Sequence, residues 1–344
     1  MKILHCLDTL AVGGAERVGI DACNLLAETD DYLVELLLIR HGGPLRKALN
    51  PTVLVKELGF YRKTSFKGWI QLIKALRGFD VIHVHMRHTY GRVKLAALIS
   101  GLGTKIIFHD HFGDIEHNKA VPSYLQGRFR PSYYIGVSKD LSDWARERLV
   151  LMPENSWTLP NTIARQISDN VKDRHSKDLV LVSNLRETKN IEFAIQLAKS
   201  TCLELDIYGQ VINEDYYRQL RKIAAGYPIY FKTDVSDVFP YLPQYKLAIH
   251  TAKSETGPLV AMEYLKSGTN FISFNTGEVI RQIKTELPHN ILYDFEAENW
   301  IMTIKAAMLD PISERQLTEV FERLFGSEAY LNKLKEIYRW VAAN

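Results

Sequence analysis

Short apolar runs rich in Val, Ile and Leu alternate with amphipathic stretches along this chain, and the whole alternation occurs twice. Strands taking turns with helices call for crossover connections, hence a doubly wound, mostly parallel α/β sheet. In the first pass, strand-like runs fall at 2–7, 33–40, 53–58, 81–85, 105–111, 132–138 and 156–159. Helical patterns at 15–27, 66–77, 91–100 and 139–148 lie between them. The polar, unpatterned stretch ARQISDNVKDRHSKD (164–178) interrupts, and reads as a linker. The second pass has strands at 179–185, 203–209, 229–234, 246–250 and 270–274, with helices at 191–200, 215–225 and from 258 on. Two further helices follow Ser313. The expected organisation is an N-terminal domain at 1–165 and a second at 166–312. Helices at 313–344 are expected to pack back toward the first.

The stretch SETGPLVAMEYLKSG (254–268) concentrates the candidate chemistry. Pro258 fits the first helical position, where its missing N–H costs nothing. The N–H groups of Leu259, Val260 and Ala261 then have no partner in the first turn. With the positive end of the helix dipole they make an anion site that suits a diphosphate. Gly257 leaves room for a ligand to approach the backbone. Glu255 precedes the helix, and Glu263 lies inside it, roughly 7–8 Å along the axis from Pro258. Two acceptors bracketing an anion site match a molecule with phosphates in the middle and hydroxyls at both ends. On spacing alone, a plain amphipathic helix with two solvated glutamates is the commoner outcome. The strand-like YKLAIH before it and Gly268 after it favour a βα unit with its loop at the strand's C-terminal edge, where open α/β sheets bind ligands.

Composition narrows the class. At 46% apolar and 24% charged residues the chain is neither disordered nor fibrous. No apolar run approaches the ~20 residues of a spanning helix, and MKILHCLDTL reads as a first strand rather than a signal peptide. Cys6, Cys23 and Cys202 are scattered through apolar segments, as core fillers in a reducing cytoplasm would be. Residues 1–165 carry 22 Lys/Arg against 16 Asp/Glu, a balance of +6; residues 166–344 carry 21 against 24, a balance of −3. A basic first half suits an anionic membrane or acceptor.

With these segments in place, the chain resembles the family 4 retaining glycosyltransferases of the GT-B fold. The likeness rests on GGAER (13–17), FDVIHVH (79–85), FHDH (108–111), GVSKDL (136–141), LPNTI (159–163), VSNLRETKN (182–190) and the E-x7-E segment, in the family's order. It implies two Rossmann-like domains facing across a cleft, the acceptor held mainly by the first and the donor by the second. It also implies sugar transfer from a nucleoside diphosphate with retained configuration. Glu255 would contact the donor sugar, Glu263 the ribose and Lys189 the diphosphate. Gly13 and Gly14 would let backbone approach the phosphate, and His109 would sit at the reacting centre. The family's phosphate-binding arginine falls on Asn184, with Arg186 as candidate replacement, and the aromatic after the first glutamate is absent at Thr256 and Gly257.

The chemistry needs stabilisation of charge building on the leaving phosphate. Lys189, Arg186, the 258–261 helix start and the 13–14 backbone are the candidates. Retention by front-face attack, with the departing phosphate accepting the acceptor's proton, needs no carboxylate nucleophile. No D-x-D motif appears, so no metal is expected and no cofactor beyond a UDP- or GDP-linked donor. HDHFGDIEH (109–117) misses the H-x-H-x-D-H metallohydrolase spacing because Asp114 comes one residue late. His83 and His85 share a strand face without a recognised third ligand, and His111 and His117 carry no assigned role. A nicotinamide Rossmann reading fails for want of G-x-G-x-x-G. In 61–79, Phe66, Trp69, Ile70 and Ile73 are interleaved with Lys67, Lys74 and Arg77. That pattern fits a peripheral contact with anionic membrane as well as an ordinary core-facing helix. The expected protein is cytoplasmic, at the inner membrane face, and extends a surface polysaccharide or other lipid-linked glycan. The alternatives are a transferase with a small soluble acceptor and a catalytically weak binder of nucleotide-sugar. Nucleic acid is not an expected partner.

Overall fold

A computed structural model describes residues 1–344 except 63, 114, 116, 117, 168–170, 172 and 256. Asp114, His117, Thr256 and part of the 164–178 linker therefore lie outside the described residues. The chain forms two compact units, Met1–Ala164 with Ser327–Asn344, and Arg165–Gly326.

In the first unit, seven strands run β1 (Lys2–Leu7), β2 (Leu33–Leu38), β3 (Leu54–Glu57), β4 (Val81–His85), β5 (Lys105–Asp110), β6 (Tyr133–Gly136) and β7 (Ser156–Thr158). All pair in parallel, in the order β3-β2-β1-β4-β5-β6-β7. The chain winds outward from β1 on one side and from β4 on the other, so the crevice between them is the switch point where such sheets take ligands. Among the described residues, four α-helices connect these strands: α1 (Gly14–Ala27), α2 (Phe66–Ala75), α3 (Arg87–Ser100) and α4 (Lys139–Arg148). Side chains alternate between the sheet's faces. Ile3, Leu7, Leu36 and Ile107 pack with Ile20 of α1 and with Leu334, Ile337 and Val341 of the chain's last helix. Leu4, Ile82, Val84 and Phe108 pack on the opposite face with Leu72, Val93 and Trp144.

In the second unit the strands are β8 (Lys177–Val182), β9 (Leu205–Tyr208), β10 (Ile229–Lys232), β11 (Tyr245–His250), β12 (Phe271–Phe274) and β13 (Ile291–Leu292). Their order is β10-β9-β8-β11-β12-β13, again all parallel, with the switch between β8 and β11. The helices are α5 (Ile191–Thr201), α6 (Glu214–Ala224), α7 (Leu259–Ser267), α8 (Gly277–Ile283), α9 (Ala297–Leu309) and α10 (Glu314–Phe325). The last helix, α11 (Ser327–Ala343), belongs to the first unit, whereas α10 stays with the second. Among the described residues, no helix is long and apolar enough to cross a membrane.

Three local differences from the pattern reading have physical causes. The helix read from 91 begins at Arg87, because Met86, at φ 69 and ψ 141, turns the chain straight out of β4. Pro258 stands at the N-cap of α7, one place earlier than read, and the Ala261 N–H donates to the Pro258 carbonyl at 3.2 Å. Only Leu259 and Val260 then keep the open character expected of the first turn. Cys202 is exposed at the end of α5 rather than buried in a core like Cys6 and Cys23. One glycine is set by close approach. Gly209 has φ +157, and a Cβ there would fall 1.9 Å from the Ser183 carbonyl oxygen. The loops leaving β8 and β9 can pass this closely only without a side chain.

Candidate active site

In the second unit, the groups expected to hold a donor gather at the C-terminal ends of β8 and β11. Lys189 lies in a short turn before α5, and Glu255 in the loop between β11 and α7. The two form an ion pair, with the ammonium donating to Glu255 Oε1. Both are largely removed from solvent, at 8% and 21% side-chain exposure. Two more bonds tie the loops together: the Thr251 hydroxyl donates to the Lys189 carbonyl at 3.0 Å, and the Lys253 N–H donates to the Thr188 carbonyl at 3.0 Å. The Glu255 N–H donates to Thr276 Oγ1 at 3.0 Å, anchoring the loop to the start of α8.

His250, the last residue of β11, completes the group. Its Nδ1 lies 2.8 Å from Ser273 Oγ, and its Nε2 lies 3.8 Å from Glu255 Oε1, outside hydrogen-bond range. Burial alone would raise the Glu255 carboxyl, but His250 and Lys189 outweigh it and hold the group down at about 2. Glu255 is therefore a fixed acceptor, and Lys189 a buried cation, at the mouth of a helix start. Nothing in the pattern of KLAIH marked out His250. Its signal was a polar residue ending an otherwise apolar strand at the ligand-binding edge.

Glu263, buried on α7, accepts from Arg165 at 2.5 Å. The same guanidinium donates to Asp237 at 2.6 Å and lies 4.7 Å from the centroid of the Phe239 ring. Arg165 falls in the stretch read as linker and was not a candidate. Asn184 Oδ1 accepts from the Gln210 N–H at 3.4 Å. Arg186 is exposed, and its guanidinium has no hydrogen bond or ion pair among the described residues. Gly257 is in ordinary contact range of Val279, where a Cβ would lie 3.5 Å from it, so packing does not demand a glycine there.

In the first unit, Gly13 caps α1 and Gly14 opens it. The Glu16 carboxylate folds over this start: a Cβ on Gly13 would fall 2.2 Å from Glu16 Oε2. Burial raises the Glu16 carboxyl. At the end of β1, Asp8 accepts from Arg40 at 2.7 Å and Arg92 at 3.3 Å, with His88 3.5 Å away. Burial pushes its carboxyl up, but His88 and Arg40 bring it below its ordinary value.

Beside it lies a pocket of about 520 Å³. Met86, Arg87, Asp110, His111, Phe112 and Tyr124 are among its walls. Arg87 grips Asp110 through Nε and Nη2 at 2.8–3.1 Å, and its guanidinium carbon sits 3.9 Å from the Phe112 ring centroid. The strained φ of Met86 at the pocket wall is a form of stored distortion found around ligand sites.

His109 is fully buried on β5. It belongs to a layer of stacked imidazoles with His5, His83, His85 and His111, packed under Tyr338 of α11. The third histidine beside His83 and His85 is His5, whose place in the N-terminal strand gave no hint of it. His109 Nδ1 lies 3.0 Å from His83 Nε2, while His109 Nε2 is buried without a hydrogen-bond partner among the described residues.

Two all-parallel α/β units in series are the architecture of the GT-B glycosyltransferases. The family model for Glycosyltransferase Family 4 matches residues 12–166, and that for Glycosyl transferases group 1 matches residues 163–321. The chain belongs to the family 4-type GT-B glycosyltransferases. No curated protein matches it by sequence. Among solved structures, a glycosyltransferase from Rickettsia africae is similar over 100% of this chain and 99% of its own, with TM-score 0.76 and 13% identity. HepE of Anabaena, in complex with UDP-glucose, is similar over 98% of each chain, with TM-score 0.79 and 15% identity. Sucrose-phosphate synthase of Thermosynechococcus elongatus is similar over 99% of each chain, with TM-score 0.71 and 15% identity. At these identities the likeness is one of fold.

Proposed function

We propose that the protein is a retaining, metal-independent glycosyltransferase. In this reading it moves a sugar from a UDP- or GDP-linked donor to a glycan or lipid-linked acceptor in surface polysaccharide synthesis. The observation that carries it is the ion pair of buried Lys189 with half-buried Glu255 at the mouth of α7, with His250 beside it. A carboxylate held ionised is an acceptor for sugar hydroxyls. The cation it is paired with is the charge a departing diphosphate needs, aided by the open Leu259 and Val260 N–H groups behind Pro258. Glu263, steadied by Arg165, takes the ribose. Arg186 is free to reach a phosphate that Asn184 cannot neutralise. Gly13 and Gly14 offer backbone to the diphosphate, His109 is the candidate for the sugar's hydroxyls, and the pocket at Arg87–Asp110 suits the acceptor. The UDP-glucose bound by HepE is in keeping with this donor class.

Release of UDP or GDP from labelled donors, with and without lipid-linked acceptor, tests the reading. Turnover that Glu255→Gln abolishes, without loss of folding, supports it; wild-type turnover in that variant removes Glu255 from the site. A second reading, a binder of nucleotide-sugar with little turnover, draws on the neutral Asn184 amide. Tight donor binding without hydrolysis or transfer, over varied acceptors, would favour it.

The membrane contact rests on α2. Its Trp69 and Ile73 pack inward, while Phe66 and Ile70 are exposed beside Lys67 and Lys74. The apolar residues read as one face thus divide, and two remain for a bilayer surface. Attachment there would keep the enzyme on the cytoplasmic side of the membrane.

A further inference from the structure

The histidine layer in the first unit is one unbranched chain of hydrogen bonds. His111 Nε2 lies 3.0 Å from His85 Nδ1, and His85 Nε2 lies 3.0 Å from His5 Nδ1. His5 Nε2 lies 3.0 Å from the Tyr338 hydroxyl, which lies 2.7 Å from His83 Nδ1. His83 Nε2 then meets His109 Nδ1 at 3.0 Å. Six side chains from β1, β4, β5, the residue after β5, and α11 thus join a residue in the wall of the pocket to the open Nε2 of His109.

Three imidazole nitrogens also come within 4.8 Å of one another at His5, His83 and His85, and again at His85, His109 and His111. At both places two of the histidines already meet as a hydrogen-bonded pair at 3.0 Å, His5 Nδ1 with His85 Nε2 and His85 Nδ1 with His111 Nε2, so a shared proton satisfies them in place of an ion.

Burial lowers the proton affinity of all five imidazoles, to about 3 for His5 and His111. A neutral imidazole carries one donor and one acceptor nitrogen. The rings on each side of Tyr338 must therefore pass the hydrogen bond in one direction. A hydroxyl can accept twice, but if Tyr338 accepts from both His5 and His83 its own buried proton is left without an acceptor among the described residues. Only two settings satisfy every link and that proton as well. In one, all five rings carry the proton on Nδ1, and His109 presents a bare Nε2 acceptor. In the other, all five carry it on Nε2, and His109 presents an N–H donor. The hydroxyl of Tyr338 turns with the setting.

We propose that Tyr338 and the histidines of this ladder are positioning residues that fix the tautomer of His109, coupling its Nε2 to the pocket through His111. The two ends have opposite character: when His111 Nδ1 donates into the pocket, His109 Nε2 accepts, and the reverse. A group seated in the pocket thereby selects whether His109 donates or accepts. The catalytic consequence rests on the reading of His109 as a contact of the donor sugar; the ladder does not.

The test is two-bond ¹H–¹⁵N correlation spectroscopy of the full chain labelled with ¹⁵N-histidine, at neutral pH. A single shared tautomer at His5, His83, His85, His109 and His111 is expected. Mixed tautomers in the wild type, whether they break a link or leave the Tyr338 hydroxyl proton without an acceptor, overturn the proposal. Tyr338→Phe keeps the ring and removes the bridge, so His83 and His109 should lose the tautomer shared with His5, His85 and His111. Unchanged spectra in that variant would overturn the role of Tyr338. Tyr330→Phe, on the same helix with a hydroxyl outside the ladder, should change nothing. In Tyr338→Phe, kcat should fall about tenfold at constant KM, the scale of one lost hydrogen bond in the transition state. A shared tautomer together with unaltered kcat would uphold the ladder and remove His109 from the reaction.

Discussion

A buried carboxylate can stay ionised only if its surroundings supply more than burial removes. Glu255 meets that condition through His250 and Lys189, and its pKa of about 2 lies below its ordinary 4.5. A depressed carboxyl contributes stability that is complete above the unfolded value and is lost as pH falls through the folded one. Unfolding in denaturant, followed from pH 6 downward, should therefore show a loss developing from about 4.5 towards about 2. Lys189→Met should move that loss to higher pH, because burial then acts with less opposition. The same variant should weaken binding of nucleoside diphosphate by about 1–3 kcal/mol, as measured by calorimetry. Arg165→Ala removes the guanidinium from beside a buried Glu263. A destabilisation of about 3 kcal/mol in urea is expected, the scale for one half of a buried ion pair. Glu255 and Glu263 became candidates from their spacing about a helix start, and Lys189 from the motif it shares with the family the chain resembles. The partners His250 and Arg165 did not. Arg165 reaches Glu263 across 98 residues, and no local pattern encodes so distant a contact.

At the scale of elements, periodicity served well because most strands here are buried on both faces and most helices on one. Met86 and Gly209 depart from any such periodicity, since a backbone angle and a close approach leave little trace in hydropathy. Gly209→Ala should cost more than about 1 kcal/mol, because the new side chain meets backbone rather than a flexible neighbour. The loss would be read from thermal or urea unfolding. The helix α2 carries a separate prediction. Phe66→Glu with Ile70→Glu should change stability by under about 1 kcal/mol, both residues being exposed. It should also abolish flotation with anionic vesicles at low salt. Flotation unchanged from wild type would remove α2 from membrane contact.

For the molecule as a whole, a donor that binds only the folded chain raises stability by mass action, about 2.7 kcal/mol at a hundred times its Kd. A thermal-shift screen of UDP, GDP, ADP and their sugars should single out one base. Glu263→Gln should reduce the shift for that base's nucleotides. The strand-and-helix alternation made both units legible from sequence, and the two closing helices, both expected to return to the first unit, divide: α11 joins it and α10 stays with the second. α11 buries Tyr330, Leu334, Ile337, Tyr338 and Val341 in a core begun by Ile3 and Leu7, and Tyr338 meets His5 across 333 residues. During synthesis, that core stands open on one side while the whole of Arg165–Gly326 is being made. A nascent chain whose Gly326 has just cleared the ribosomal exit tunnel should therefore hold a finished second unit and an unfinished first one. The nascent first unit, sensitive to protease on its uncovered face, would become resistant only when the final turns of helix emerge from the exit tunnel.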